Sequence, residues 1–294
     1  MSRPVDEYRL ALAPVLAIHG SASTGRQWKP LAALFEGERE VLAPDLPGYG
    51  ATDSGHGACG DGLPGRVAPL VDLLIDQSRP VHLVAHSFGG AIALELMRYV
   101  PEAVRSMWLY EPVVPALLKT QGSAQDTALF SDLACLAELL DRASSQVAMA
   151  SFVDFWHGLG GWSGLPATFQ QVLAAQSGVV LRDFREAFLQ SQQVFEGAPF
   201  PGPVNIVVGG CTKPHAARMA QILSDLLPGS HRITLDGLGH MGPCEEPDRV
   251  NPLIKQWIRT VERGDRCEPG SLGPINTQSF MKTEYDDETL KARL

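Results

Sequence analysis

The chain is poor in cysteine, has no surplus of positive charge and contains no long apolar run. Its five cysteines (Cys59, Cys135, Cys211, Cys244 and Cys267) are odd in number and scattered, with no C-x-x-C pair. That pattern argues against a disulfide framework and a zinc site; free thiols in a reducing, cytoplasmic compartment are expected instead. Basic residues number 24 against 33 acidic ones, for a net charge of -9. Neither nucleic acid nor an anionic membrane is therefore expected as a main partner. No apolar stretch is long enough to span a bilayer. Residues 10–18 come nearest to a leader, but Asp6 and Glu7 precede them and no small-residue cleavage site follows, so they read as a strand.

At 294 residues the chain fits one large α/β domain with an insertion better than two equal domains. Strand signals at residues 15–18, 40–43, 81–84 and 106–110 alternate with helical signals at 28–35, 66–75 and 91–100. Such alternation implies a mostly parallel sheet with helices on both faces. From about residue 114 the alternation stops. Helices are expected at 127–143 and 181–194, with an aromatic, glycine-rich stretch between them at 152–165. The sheet pattern returns at 204–208 and 232–235, with helices at 216–227 and 248–262. The expected division is a core of residues 1–113 and 201–263 and a helical cap of 114–200. The polar segment 264–294 reads either as a flexible tail or as an arm that packs on a neighbouring subunit. A homo-oligomer built through the cap or this tail is the one macromolecular partnership left open.

The densest information lies in Ala85-His86-Ser87-Phe88-Gly89-Gly90. A serine between a buried strand and a helix sits on a sharp turn that exposes its Oγ over the helix N-terminus. Small neighbours are needed because the turn leaves little room; Ala85 stands where glycine is usual. A serine hydroxyl needs a base, a group to orient that base, and donors for an oxyanion. His240, in the glycine-rich loop 237–243 after the last expected strand, is the candidate base. His86 competes, but its neighbour Ser87 takes the exposed turn position. His56, His157, His215 and His231 read as solvated residues and His82 as a packed strand residue. The candidate oxyanion donors are the backbone N–H groups of Ser21, which follows His19-Gly20, and Phe88. Asp45 and Asp53 are explained as turn formers, and Cys244 as a small buried filler.

Together these residues resemble the α/β-hydrolase family. The matching pieces are His19-Gly20 with Trp28, Asp45-Leu46-Pro47-Gly48-Tyr49-Gly50, the Ser87 turn, and Gly239-His240-Met241 with Glu246-Pro247. They occur in family order and cover about residues 10–262. The resemblance implies a Ser–acid–His order, an oxyanion hole of two amides and no cofactor. The acid departs from the pattern. Family members usually carry it just after the strand that follows the cap, but residues 209–215 here (Gly-Gly-Cys-Thr-Lys-Pro-His) contain no carboxylate. Glu111, at the end of the 106–110 strand, is the first replacement, as in certain haloalkane dehalogenases; Asp236 is the alternative, and a dyad without a carboxylate or an acid from elsewhere in the chain is the third. The dehalogenase likeness stops at Ser87, because displacement at an alkyl halide needs a carboxylate there. Met241, where relevant hydroxynitrile lyases carry lysine, counts against cyanohydrin chemistry.

The expected activity is hydrolysis of a small-molecule carboxylic ester, lactone or thioester through an acyl-enzyme on Ser87. Two alternatives stand beside it: carbon–carbon bond hydrolysis or cyclisation of a polyketide-like substrate on the same groups, and a ligand-binding protein without turnover. Trp156, His157, Trp162 and Met241 are the candidate substrate-pocket residues. Most of the cap aromatics are better explained as the cap's own core.

Overall fold

The computed structural model describes residues 12–50, 52, 62–120, 122–190 and 200–264. Six strands form one sheet: β1 (Val15–Ile18), β2 (Val41–Leu42), β3 (Val81–His86), β4 (Val104–Tyr110), β5 (Val204–Gly209) and β6 (His231–Leu235), in the order β2-β1-β3-β4-β5-β6. Every pairing is parallel. The central strands are buried on both faces, as a doubly covered parallel sheet requires.

Strand alternation sorts their side chains into two cores. Leu16, Ile18, Leu83, Ala85, Met107, Leu109, Ile206 and Val208 face one side. There they meet α2 (Gly62–Ile75), α3 (Phe88–Leu96) and α8 (Pro214–Leu226). Val15, Ala17, Val84, Trp108, Tyr110 and Val207 face the other side, against Trp28, α1 (Lys29–Leu34) and α10 (Pro247–Arg263). Between β4 and β5 run α4 (Ala124–Arg142), α5 (Ser145–His157), α6 (Ala167–Ala175) and α7 (Ser177–Phe188). A short helix, α9 (Gly242–Glu245), precedes α10. Among the described residues no helix is long and apolar enough to cross a membrane.

Several elements differ in extent from the sequence expectation. β2 is an edge strand of two half-buried residues, stopped before Pro44. The helix expected at 91–100 begins at Phe88. Gly89 and Gly90 fall in its first turn, where a Cβ would lie 2.6 Å from the His19 carbonyl oxygen and 2.5 Å from Pro112 Cβ respectively. These two glycines thus let α3 approach β1 and the segment after β4. α5 takes up the first half of the aromatic stretch 152–165, and α7 starts at Ser177, ahead of position 181. Positions 191–194 of the expected helix and residues 265–294 of the expected tail lie outside the described residues.

The strand order places the site. From β1 the chain moves outward to β2, then returns to β3 on the other side of β1. The segments that follow β1 and β3 therefore diverge at the carboxyl edge and leave a crevice there, the usual ligand position in an open α/β sheet.

The second core is anchored by Trp257 of α10, whose ring meets Trp108 edge-on at 6.4 Å between centroids. Trp257→Ala should cost about 3–5 kcal/mol of stability, measured by urea unfolding. A loss below about 1 kcal/mol would show that α10 is not held through this ring.

Candidate active site

Ser87 sits at the crevice in a conformation rare for a residue with a Cβ, φ 56° and ψ -123°. Such backbone costs about 1–3 kcal/mol and persists only where its surroundings hold it. Here the Ser87 N–H donates to the Tyr110 carbonyl at 3.0 Å, and its own carbonyl accepts from Gly90 at 2.8 Å and Val113 at 3.0 Å. Gly20 supplies the room, since a Cβ on it would lie 3.0 Å from Ser87 Cβ. The Ala85 methyl is fully buried in the first core, so the missing glycine at that position costs no space.

Glu111 ends β4, also at positive φ, 43°. Its N–H donates to the Val207 carbonyl at 2.8 Å, and its carboxylate is wholly buried, with 0 % exposure. A buried carboxylate must be paired, and this one is. Oε1 accepts from the Gly209 N–H at 2.7 Å; Oε2 accepts from Thr212 Oγ1 at 2.6 Å and lies 2.7 Å from His240 Nδ1. His240 Nε2 lies 3.0 Å from Ser87 Oγ. An ionised carboxylate can only accept, so Nδ1 carries the proton and Nε2 is free to accept from the serine hydroxyl. Asp236 is exposed, and its carbonyl accepts from Arg249; the group at His240 Nδ1 is Glu111. The loop after β5, which lacks a carboxylate, serves Glu111 through the Gly209 amide and the Thr212 hydroxyl.

Sequence reasoning missed the supports of His240. The buried His86 ring lies behind it, where Nε2 donates to the His240 carbonyl at 2.9 Å and Nδ1 accepts from Gln27 Nε2 at 3.0 Å. Tyr110 donates its hydroxyl to the Gly239 carbonyl at 2.8 Å. Trp156 of α5 stacks on the imidazole, 4.2 Å between centroids and 25° from parallel. Burial, and next the nearby His240, hold the His86 pKa well below 6.5, so it bonds as a neutral ring. His19 is also buried; it donates Nδ1–H to the Gly20 carbonyl and accepts the Leu46 N–H. Burial lowers its pKa to about 4.

The cleft at Ser87 is lined by Ser21, Phe88, Val113, Pro115, Phe152 and Trp156, and by Asp183, Phe184 and Ala187 of α7. Three pocket expectations need correction. His157 is exposed and pairs with Glu245 at 3.2 Å, because it ends α5 on the solvent side. Trp162 packs into the first core among the inserted helices. Met241 caps α9 and is absent from the lining. His215, expected to be solvated, is buried at the start of α8 and bonded to Asp132 at 3.2 Å. Cys244 is buried, which pushes its thiol up to about 12, whereas Cys135 and Cys211 are exposed and free. Asp53, His56, Cys59 and Cys267 lie outside the described residues.

A family model described as "Alpha/beta hydrolase family" matches residues 15–253. The chain belongs to this family. A 2-hydroxy-6-oxo-2,4-heptadienoate hydrolase of Pseudomonas putida is 33% identical over 158 residues, covering 45% of this chain and 56% of that protein. Lipase LipV of Mycobacterium tuberculosis is 39% identical over 103 residues, 35% of this chain and 38% of the lipase. The chain thus spans little more than half the length of the first relative and less of the second. The solved structure of a thermophilic esterase from Thermogutta terrifontis superposes with TM-score 0.64 at 19% identity, over 85% of this chain and 90% of its own. As an α/β hydrolase the chain has the family's parallel sheet, with six strands and flanking helices.

Acid should destabilise the fold. His19 and His86 resist protonation when folded but not when unfolded, so their contribution is full above about pH 6.5 and is lost as the pH falls toward their lowered folded values. Asp183, raised by burial to about 6, works the other way. Burial also lowers the pKa values of His82 and His215, so four imidazoles against one carboxyl predict a net loss, read as a falling urea midpoint between about pH 7.5 and about pH 5. The decline should be shallower in His86→Gln. An equal slope in that variant would show that His86 is not held neutral.

Proposed function

We propose that this α/β hydrolase cleaves a carboxylic ester, lactone or thioester through an acyl-enzyme on Ser87. The observation that carries the reading is the unbroken row from Ser87 Oγ to His240 Nε2 at 3.0 Å and from His240 Nδ1 to Glu111 at 2.7 Å. In this reading Ser87 attacks the carbonyl carbon as His240 takes its proton. Glu111 fixes the imidazole tautomer and stabilises the imidazolium that forms. The N–H groups of Ser21 and Phe88 stabilise the tetrahedral oxygen. His240 then gives the proton to the leaving alcohol or thiol. A water, deprotonated by His240, attacks the acyl carbon, and as the bond to Ser87 Oγ breaks the imidazolium returns that proton to Oγ, releasing the acid and free Ser87. Phe152, Trp156, Phe184, Val113 and Pro115 line the cleft, which suits an apolar acyl group of modest size.

The second reading is hydrolysis of a carbon–carbon bond. It is favoured by the Pseudomonas putida relative, whose substrate name contains a ketone and a carboxylate but no ester. The same serine, base and oxyanion donors would act there on a ketone carbonyl.

Ser87→Ala should abolish turnover of short p-nitrophenyl esters while leaving the circular dichroism spectrum unchanged; undiminished turnover would end the nucleophile assignment. Glu111→Gln should lower kcat by about 10³–10⁴, and Asp236→Asn by less than about twofold. The reverse order would reject Glu111. Product analysis decides between the two readings: acid plus alcohol from esters supports the first, whereas turnover of a 6-oxo-dienoate with none of any ester supports the second.

A further inference from the structure

Beside Ser87 the cleft holds a second buried carboxylate with no bond to His240. Asp183 comes from α7, one of the helices inserted between β4 and β5. Its Oδ2 accepts from Ser21 Oγ at 2.6 Å and from the Tyr49 hydroxyl at 2.5 Å. Its Oδ1 accepts from the Arg66 guanidinium of α2, which also reaches Glu186 Oε2 at 2.9 Å and the Pro47 carbonyl. The Tyr49 oxygen in turn accepts the Ala22 N–H at 3.1 Å. Two consecutive residues after β1, Ser21 through its hydroxyl and Ala22 through its amide, therefore end on one carboxylate.

That loop needs holding. Ala22 has φ 57°, in the left-handed region that disfavours a residue with a Cβ. Its neighbour is the Ser21 amide, the proposed oxyanion donor, and a donor works only when fixed within a few tenths of an ångström of the developing charge. Arg66 balances the buried Asp183, and Tyr49, whose hydroxyl burial keeps well above its usual range, remains a donor. The fixing bonds thus run from the sheet edge to an inserted helix.

We propose that Asp183 is a positioning residue for the oxyanion: carried on α7, it clamps the strained loop after β1 through Ser21 and Tyr49, so that the Ser21 amide is aligned only while α7 is seated over the cleft. The inference rests on Ser87 being the nucleophile. It makes the inserted helices part of the rate machinery and not only a wall of the pocket. Substrate entry that lifts α7 would disarm the oxyanion site, and reseating would restore it.

The test uses the full chain, p-nitrophenyl butyrate as substrate and phenylboronic acid as inhibitor, with active sites counted by fluorophosphonate titration. The boronate forms a tetrahedral adduct on a serine and places an oxygen where the oxyanion would lie. Asp183→Asn and Tyr49→Phe should each lower kcat per active site about 10–100-fold, with KM changed less than about threefold. The boronate Ki should rise by the same factor as kcat/KM falls, because both report the tetrahedral state. Tyr49→Phe keeps the Asp183–Arg66 pair and carries the test if Asp183→Asn does not fold. Unchanged kcat per titrated site and unchanged boronate Ki in the folded variants, whatever their melting temperatures, would overturn the proposal. Ser87→Ala run in parallel separates the two ideas: full turnover in that variant removes the nucleophile reading itself.

Discussion

The buried carboxylate of Glu111 is the constraint on which the site depends. Its oxygens take the Gly209 amide from the end of β5, the Thr212 hydroxyl from the loop beyond it, and the His240 ring from the loop after β6. Removing any of these partners would leave a charge in a place where water cannot compensate it. One side chain at the end of β4 therefore fixes the relative positions of three strand ends. His240, carried on the loop after β6, gains further anchors from His86, Tyr110 and Trp156. An imidazole held at both nitrogens, at its own carbonyl and on one ring face has little freedom left to lose when a substrate arrives.

The sheet makes this arrangement affordable in structural terms. Ser87 and Glu111 both sit at positive φ immediately after their strands, and Ala22 lies a short way beyond β1 in the same condition. Strain of this kind collects where rigid surroundings over-determine it. β1, β3, β4 and β5 are the most deeply buried strands of the sheet, so the three strained residues hang from its stiffest part. The edge strands β2 and β6, half-exposed along their length, carry none.

The fold was legible because its signals are local. Apolar runs of strand length, separated by helical patterns, are enough to specify a parallel sheet, and the Ser87 turn is announced by its small neighbours. Ser87, His240 and Glu111, far apart in the sequence, could be nominated because each follows a strand and so must come to the same sheet edge. What was not legible depends on the second face of each residue. His86 competes in the sequence with His240 as a base, yet alternation turns it under the His240 loop, where a neutral imidazole can donate and accept at once. Gln27 and Asp183 carry no local signature at all. One is a polar residue before a helix, the other an acid within an amphipathic helix, and only the packing of distant elements gives them partners. His157, Trp162 and Met241 fall outside the cleft lining for the same reason, whereas Trp156 lies in it. Trp156 and His157 are adjacent in sequence, but the helical turn sends one to the imidazole and the other to solvent.

The buried charges on the two sides of Ser87 differ in what they hold. Glu111 is bonded by core elements alone, and it does not depend on the inserted helices. Asp183 belongs to an inserted helix but spends its bonds on the core: Ser21, Tyr49 and Arg66 all lie outside α4–α7. If α7 were only a lid, apolar contacts through Phe184 and Ala187 would be enough to close it. A carboxylate in that position is costly, as its pKa raised to about 6 by burial attests, and apolar packing would serve closure better. What the carboxylate adds is direction. In the proposed role it is satisfied in the seating that presents it to Ser21, Tyr49 and Arg66 together, so the ionic cluster would specify one position of α7 where greasy contacts would permit several.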